Sequence, residues 1–473
     1  MRTMRNPGAI RAATLPNRTS PWRTEAEEQA ARQGGAEAQL QVLRALLPGI
    51  FARFARIEDP RRPGSVRHKG TVVLTFAVLM AIYQMGSRRQ ANRELSAPTF
   101  WGNLRSVFPG LDTVPHADTV ARFLETIPAD DLIETLLATI RRLMRSRKLS
   151  AWLTREGYVV AIDGTQKWAS FAPFAPEALR RRSGADAIKY QAYVLEAVLV
   201  GPHGVSLPLL FEFCENNPAA GPETKQDSEQ KAFKRLAQRL KQAFPRVGFV
   251  PVMDGLYPNG PVMTLCRRYH WDFMIVLPDA CLPTVWEEAT GLHTLSPENQ
   301  RRHRWGGREQ LFWWVNGIDY TWEDTDNRYH HMKLHVVVCE ETWQEDGQAG
   351  QSRWAWVSSV PLTKQNVVRR CNEMARRRWD IEEGLLVEKH CGYHYEHLYS
   401  RNWNAMRGWH TLFALGQLLN TLTLHVVDLW PIQQQFGLQG TIGFLRQTMM
   451  GCWLDRTRLN ERCTRPPQLR LIL

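Results

Sequence analysis

Hydrophobic and polar positions divide the chain into segments of different period. The run TVVLTFAVLMAIYQMG, residues 71 to 86, is apolar without a polar stripe and predicts a helix buried on all sides. It is shorter than the ~20 residues that a membrane span needs. Around it, AQLQVLRALLPGIFARF, HADTVARFLETI and DDLIETLLATIRRLMRSRKL repeat at helical spacing, so residues 37–150 are expected to form a small helical domain. Residues 1–36, rich in Arg, Ala, Pro, Gln and Gly without periodicity, predict a flexible basic arm.

From residue 151 the period changes. YVVAI (158–162) is apolar and β-branched without alternation, as in a strand covered on both faces, and Asp163-Gly164-Thr165 is expected to stop it. YQAYVLEAVLVG (190–201) and VSLPLLFEFCE (205–215) predict a hairpin. After the basic helix QKAFKRLAQRLKQAF comes a second apolar strand, RVGFVPVMDG, stopped by Asp254, and then FMIVLP (273–278). Residues 151–278 thus read as the first part of an α/β core. Residues 279–362, with the aromatic strands LFWWVNGIDYTW, KLHVVVCEETW and SRWAWVSSV, read as a β-rich insertion. A long helix from Thr363 to His390 opens the second part of the core, 363–430, and 431–473 is expected to be a helical tail.

Charge alters this picture. The net charge is +13 and the sequence pI about 9.5, which point to a polyanionic partner, nucleic acid before membrane. Basic clusters such as Arg61-Arg62, Arg67-His68-Lys69, Arg88-Arg89 and Arg141-Arg142 flank the predicted helices and could meet DNA phosphates or simply be solvated. The eight cysteines are scattered without a CxxC pair, the usage of a reducing, cytoplasmic compartment.

The candidate chemistry lies in the acids. Asp163 alone either opens a turn or sits at the mouth of a sheet and binds a metal. A second Asp-Gly, at Asp254, follows another apolar strand, and functional groups collect at strand ends in α/β sheets. Two carboxylates meeting there repel unless a divalent cation lies between them. On the 363–390 helix, Arg378, Glu382 and Lys389 share one face, because seven residues turn about 700°, ~20° out of register. A solvated salt-bridge pair explains the same spacing. Trp379 and Ile381 beside them argue that the helix packs on a core.

Asp163 after VVAI, Asp254 after FVPVM, and the R-x3-E-x6-K spacing in RRRWDIEEGLLVEK together resemble the DDE transposases of bacterial insertion sequences. The resemblance spans residues 155 to 425. It is to the subgroup with a tyrosine–arginine–glutamate–lysine helix signature and a β insertion before the glutamate. It implies a ribonuclease H-like core, with Asp163, Asp254 and Glu382 as ligands of two Mg2+ ions, for which Mn2+ can substitute. Arg378 and Lys389 are implied as holders of DNA-end phosphates. Further implications are double-stranded DNA as partner, both terminal inverted repeats and target, a homodimer in the DNA complex, and location at the nucleoid. The signature's tyrosine falls at position 375, where this chain has Ala375. A metal-dependent nuclease of the same fold and a transposase-derived DNA-binding protein without catalysis are the other readings.

Lys167, close after Asp163, and His390, next to Lys389, are expected DNA contacts. His390, Cys391, His394 and His397 match zinc ligands only in composition, since no second ligand pair lies nearby. His331 and His335 are expected to be ordinary sheet residues. Trp313, Trp314, Trp354 and Trp356 either pack the insertion sheet or stack on bases. Gly164 and Gly255 are expected turn glycines.

Overall fold

A computed structural model of the chain describes residues 21–184, 187–219, 225–345, 347–467 and 469–472. It is a mixed α/β structure, with an N-terminal helical region packed beside a ten-stranded mixed sheet.

The helical region holds α1 (Glu25–Phe54), α2 (Gly70–Ile82), α3 (Arg88–Glu94), α4 (Pro98–Arg105), α5 (Ala117–Thr126) and α6 (Ala129–Arg145). The predicted buried helix is α2, whose residues Val72 to Ile82 are all buried. No helix among the described residues is long and apolar enough to cross a membrane. Of the expected flexible arm, residues 1–20 lie outside the described residues. Residues 25–36 depart from expectation, because they form the first turns of α1. Thr24 caps that helix by accepting the Glu27 N–H, and Glu25, Glu27 and Glu28 sit favourably in its first turn. Gly35 allows close packing there, since a Cβ at this position would lie 3.1 Å from the Phe444 ring.

The sheet contains β1 (Tyr158–Ser170), β2 (Leu179–Ser183), β3 (Ala187–Val200), β4 (Ser206–Cys214), β5 (Phe249–Met253), β6 (Met274–Val276), β7 (Gln300–Trp305), β8 (Arg308–Glu323), β9 (Tyr329–Glu345) and β10 (Gln348–Ser358). Their order is β2-β3-β1-β5-β6-β10-β9-β8-β7, with β4 also paired to β3. The helices α7 (Glu229–Ala243), α8 (Gly260–Arg268) and α9 (Pro283–Leu295) lie between strands. The aromatic insertion is continuous with the core sheet, because β10 pairs antiparallel with β6.

Alternate residues of β1 serve opposite faces. Val160 and Ile162 join the larger hydrophobic core with Phe233 and Leu236 of α7, whereas Val159 and Ala161 join a second cluster with Val252, Cys371, Ile381 and Leu385. Burying each such aliphatic side chain contributes ~1.5–3 kcal/mol. Burial on both faces is why the strand has no polar alternation.

Two expectations about β1 and its helix are corrected. The strand does not stop at Asp163. It runs to Ser170, paired with β3 as far as Ser170↔Tyr190. What ends is its parallel partner, since the β1–β5 ladder closes at Ile162↔Met253. Gly164 is accordingly a strand residue and not a turn glycine. The helix of 363–390 is also broken, by a π turn (Arg369–Met374) and a 3-10 turn (Ala375–Arg378) before α10 (Trp379–His390). In an unbroken helix Glu382 would follow Ala375 by seven residues onto the core face. The break resets the phase, so Ile381 and Leu385 take the core and Glu382 is turned outward. Three further helices follow among the described residues: α11 (Trp403–Leu424), α12 (Trp430–Met450) and α13 (Arg456–Cys463).

Candidate active site

Asp163 and Asp254 follow the last pair of the β1–β5 ladder. By alternation both lie on the sheet face that carries α10. Each is oriented by its own backbone: Asp163 Oδ1 accepts the Gly164 N–H at 2.8 Å, and Asp254 Oδ1 accepts the Leu256 N–H at 2.9 Å. Arg378, at the start of α10, joins Asp163 to the glutamate. Its Nη1 lies 2.6 Å from Glu382 Oε1 and 3.6 Å from Asp163 Oδ2. Burial, opposed by Arg378 and reinforced by Asp254 and, more weakly, Glu382, raises the Asp163 carboxyl to about 6. The site therefore has more negative charge than its one guanidinium balances, in partial burial where repulsion is strong.

Of the residues anticipated from sequence, Asp163, Asp254, Arg378 and Glu382 are brought together. Three are not. Lys167 departs from the expected DNA contact: it is buried, donates to the Tyr395 carbonyl at 2.9 Å and lies 4.3 Å from the Tyr395 ring centroid. Lys389 sits in the last turn of α10, ~10 Å along the helix from Glu382, and pairs with Glu396 at 3.1 Å. His390 is exposed at the helix end. Ala375 is a packing position, buried with Met374 against Val250 and Val252. The helix ends before Gly392, which has φ +89°, so His390, His394 and His397 do not form one helical face.

The tryptophans divide clearly. Trp314 and Trp356 are buried in the sheet, and Trp313 stacks on His293 at 4.2 Å. Trp379 departs from the anchoring role expected beside Ile381, because it is 42 % exposed. It lies under the Arg378 guanidinium at 4.1 Å and edge-on to Trp354 at 6.0 Å.

Three carboxylates with all-oxygen donors suit a hard divalent cation in kind. The guanidinium between Asp163 and Glu382 marks where positive charge is called for. Among the described residues, no three His, Cys, Asp or Glu side chains are already drawn together as metal ligands. In this arrangement Glu382 Oε1 is engaged by Arg378.

Residues 51–140, from the last turn of α1 into α6, match the family model of a DDE_Tnp_1-associated domain. The match lies in the helical region and ends before the first of the acids. It links the chain to DDE-type transposases through that domain. None of the curated proteins matches the chain.

Proposed function

We propose that the chain is a DNA transposase of the DDE type, with a ribonuclease H-like core, that cleaves the ends of a mobile element and joins the freed 3′-hydroxyl to target DNA. The observation that carries this reading is the pairing of Asp163 and Asp254 at the ends of a parallel ladder, with Arg378 joining Asp163 to Glu382. The transposase-associated match over residues 51–140 supports it from a separate part of the chain. Asp163, Asp254 and Glu382 would hold two Mg2+ ions. Bound there, such ions neutralise charge on a phosphodiester and make water or a hydroxyl a better nucleophile.

The chain's own groups divide the remaining work. Arg378, once released from Glu382, presents a guanidinium fork suited to a phosphate. Lys389, once free of Glu396, and exposed His390 would offer further donors to phosphate at the far end of α10. The excess of positive charge draws DNA to the surface, and two copies would bring two element ends together. A second reading, a DNA-binding protein without catalysis, is favoured by Arg378 standing among the acids and by Ala375 in place of the signature tyrosine. Nicking of supercoiled DNA with Mg2+ or Mn2+ separates the two. Activity lost in Asp163→Ala is the expected result, and nicking unchanged in that variant would remove the site assignment. Joining of a pre-nicked end distinguishes the transposase from a nuclease of the same fold.

A further inference from the structure

The two aspartates face a mechanical difficulty. Their strands are laddered only as far as Ile162↔Met253, so beyond that pair no backbone bond of the β1–β5 ladder ties one carboxylate to the other. Each repels its neighbour. Something must hold the two turns at a set separation.

We propose that Glu229, a fourth carboxylate behind the pair, is a positioning residue that fixes Asp163 relative to Asp254. This rests on the reading of those aspartates as cation ligands. Glu229 is the first residue of α7, whose N-cap Ser228 accepts the Lys231 N–H, so its backbone is anchored. Its Oε1 accepts the Tyr193 hydroxyl at 2.7 Å and its Oε2 accepts the Tyr257 hydroxyl at 3.1 Å. Tyr193 stands on β3 opposite Gln166 of β1, three residues beyond Asp163. Tyr257 belongs to the Asp254 turn, where its N–H donates to the Asp254 carbonyl at 3.3 Å, and its ring is wholly buried against Phe233. One carboxylate therefore joins the strand beside Asp163 to the turn that carries Asp254.

Gly164 gives independent support. A Cβ there would come within 2.5 Å of the Glu229 carboxyl carbon and 2.7 Å of the Tyr193 ring, so the residue after Asp163 must be glycine for Glu229 to enter. By alternation Gly164 faces α7 and Asp163 faces α10, which puts the Glu229 bridge on the opposite side of the sheet from the open site. With a phenol hydroxyl on each oxygen, Glu229 braces the pair and does not compete for the cation. Groups that orient metal ligands from behind typically cost ~10–100-fold in metal affinity when removed.

The test is direct Mn2+ binding to the full-length protein, read from the electron paramagnetic resonance signal of free Mn2+, with a thermal melt of each variant. Glu229→Ala should weaken binding by ~10–100-fold while the protein stays folded. Glu229→Gln should restore it to near the wild-type value, because the amide can accept from one phenol and donate to the other. Equal loss in Glu229→Gln and Glu229→Ala would mean that Glu229 acts through its charge, and would overturn the positioning role. Asp163→Asn is the control. Full affinity in Glu229→Ala with binding lost in Asp163→Asn overturns the inference alone, whereas no Asp163-dependent Mn2+ site in the wild type overturns the functional reading with it. Should Glu229→Ala fail to fold, Tyr257→Phe keeps the buried ring and removes one hydroxyl. It should weaken Mn2+ binding in the same direction, and unchanged binding would overturn the proposal.

Discussion

Two groups of ionisable side chains hang from the same face of β1, four residues apart, and both reach α10. The first is Asp163 with Asp254, Glu382 and Arg378. The second is Lys167 with Glu196, Glu388, Tyr395 and His410, lining a small cavity of about 40 Å³. In the second group the polar atoms are matched: Tyr395 donates to Glu196 at 2.7 Å, His410 lies 3.1 Å from the same oxygen, and Gln417 donates to Glu388 at 2.7 Å. Acids outnumber the cation in both groups, but in the first the site is open, and Glu382 keeps 37 % of its side chain exposed. The difference teaches that a carboxylate on this sheet is available for chemistry where it is open to solvent, and structural where partners enclose it.

The comparison breaks most sharply at its two β1 residues. Asp163→Asn should reduce metal-dependent DNA nicking by on the order of 10³-fold or more, as losing an essential member of a catalytic constellation does. Its thermal stability should hold or rise, because an electrostatically unfavourable carboxyl is neutralised. Lys167→Met should do the reverse. It removes the buried donor to the Tyr395 carbonyl and the ammonium that favours charged Glu196, a destabilisation of about 1–3 kcal/mol by denaturant unfolding. DNA affinity per folded molecule should stay unchanged.

Glu388→Gln sharpens the contrast through pH. Burial, with Glu196 adding to it, pushes the Glu388 carboxyl from 4.5 up to about 8. Below the lower value the group is protonated both folded and unfolded. Between the two values only the folded chain keeps the proton, so wild-type stability falls as pH rises, and the loss is complete above about 8. The glutamine variant lacks this loss. Melts of the two proteins should agree at pH 4 and separate by at least about 1 kcal/mol in favour of the variant at pH 9.

The smallest effect belongs to Lys389→Ala. Its partner Glu396 is half-exposed, so stability should change by less than ~1 kcal/mol. If Lys389 holds a DNA phosphate, the salt dependence of DNA binding should lose about one unit of slope.

Much of the core was legible because burial on both faces leaves a mark in sequence. YVVAI and FVPVM each ended in the acid that the fold brings to one sheet face, and the arginine–glutamate spacing placed a cation one turn before the third acid. The β3–β4 hairpin and the buried α2 were equally plain. The brace at Glu229 carried only a weak trace, the tyrosine in DGLYP, since nothing local links residue 229 to 193 and 257. Asp163-Gly164 misled for a related reason: Gly164 makes room for Glu229 and does not turn the chain.

What the chain alone determined was the kind and order of its pieces: apolar strand runs each followed by an acid, a charged helical segment after an aromatic insertion, and an excess of basic residues. These follow from preferences of neighbouring residues, which local pattern records. Only the tertiary structure decided that β5 ends where β1 continues, that a broken helix turns Glu382 outward, and that Lys167 points inward. Ladder register, helix phase and burial depend on contacts with segments tens to hundreds of residues away, and no local pattern encodes them.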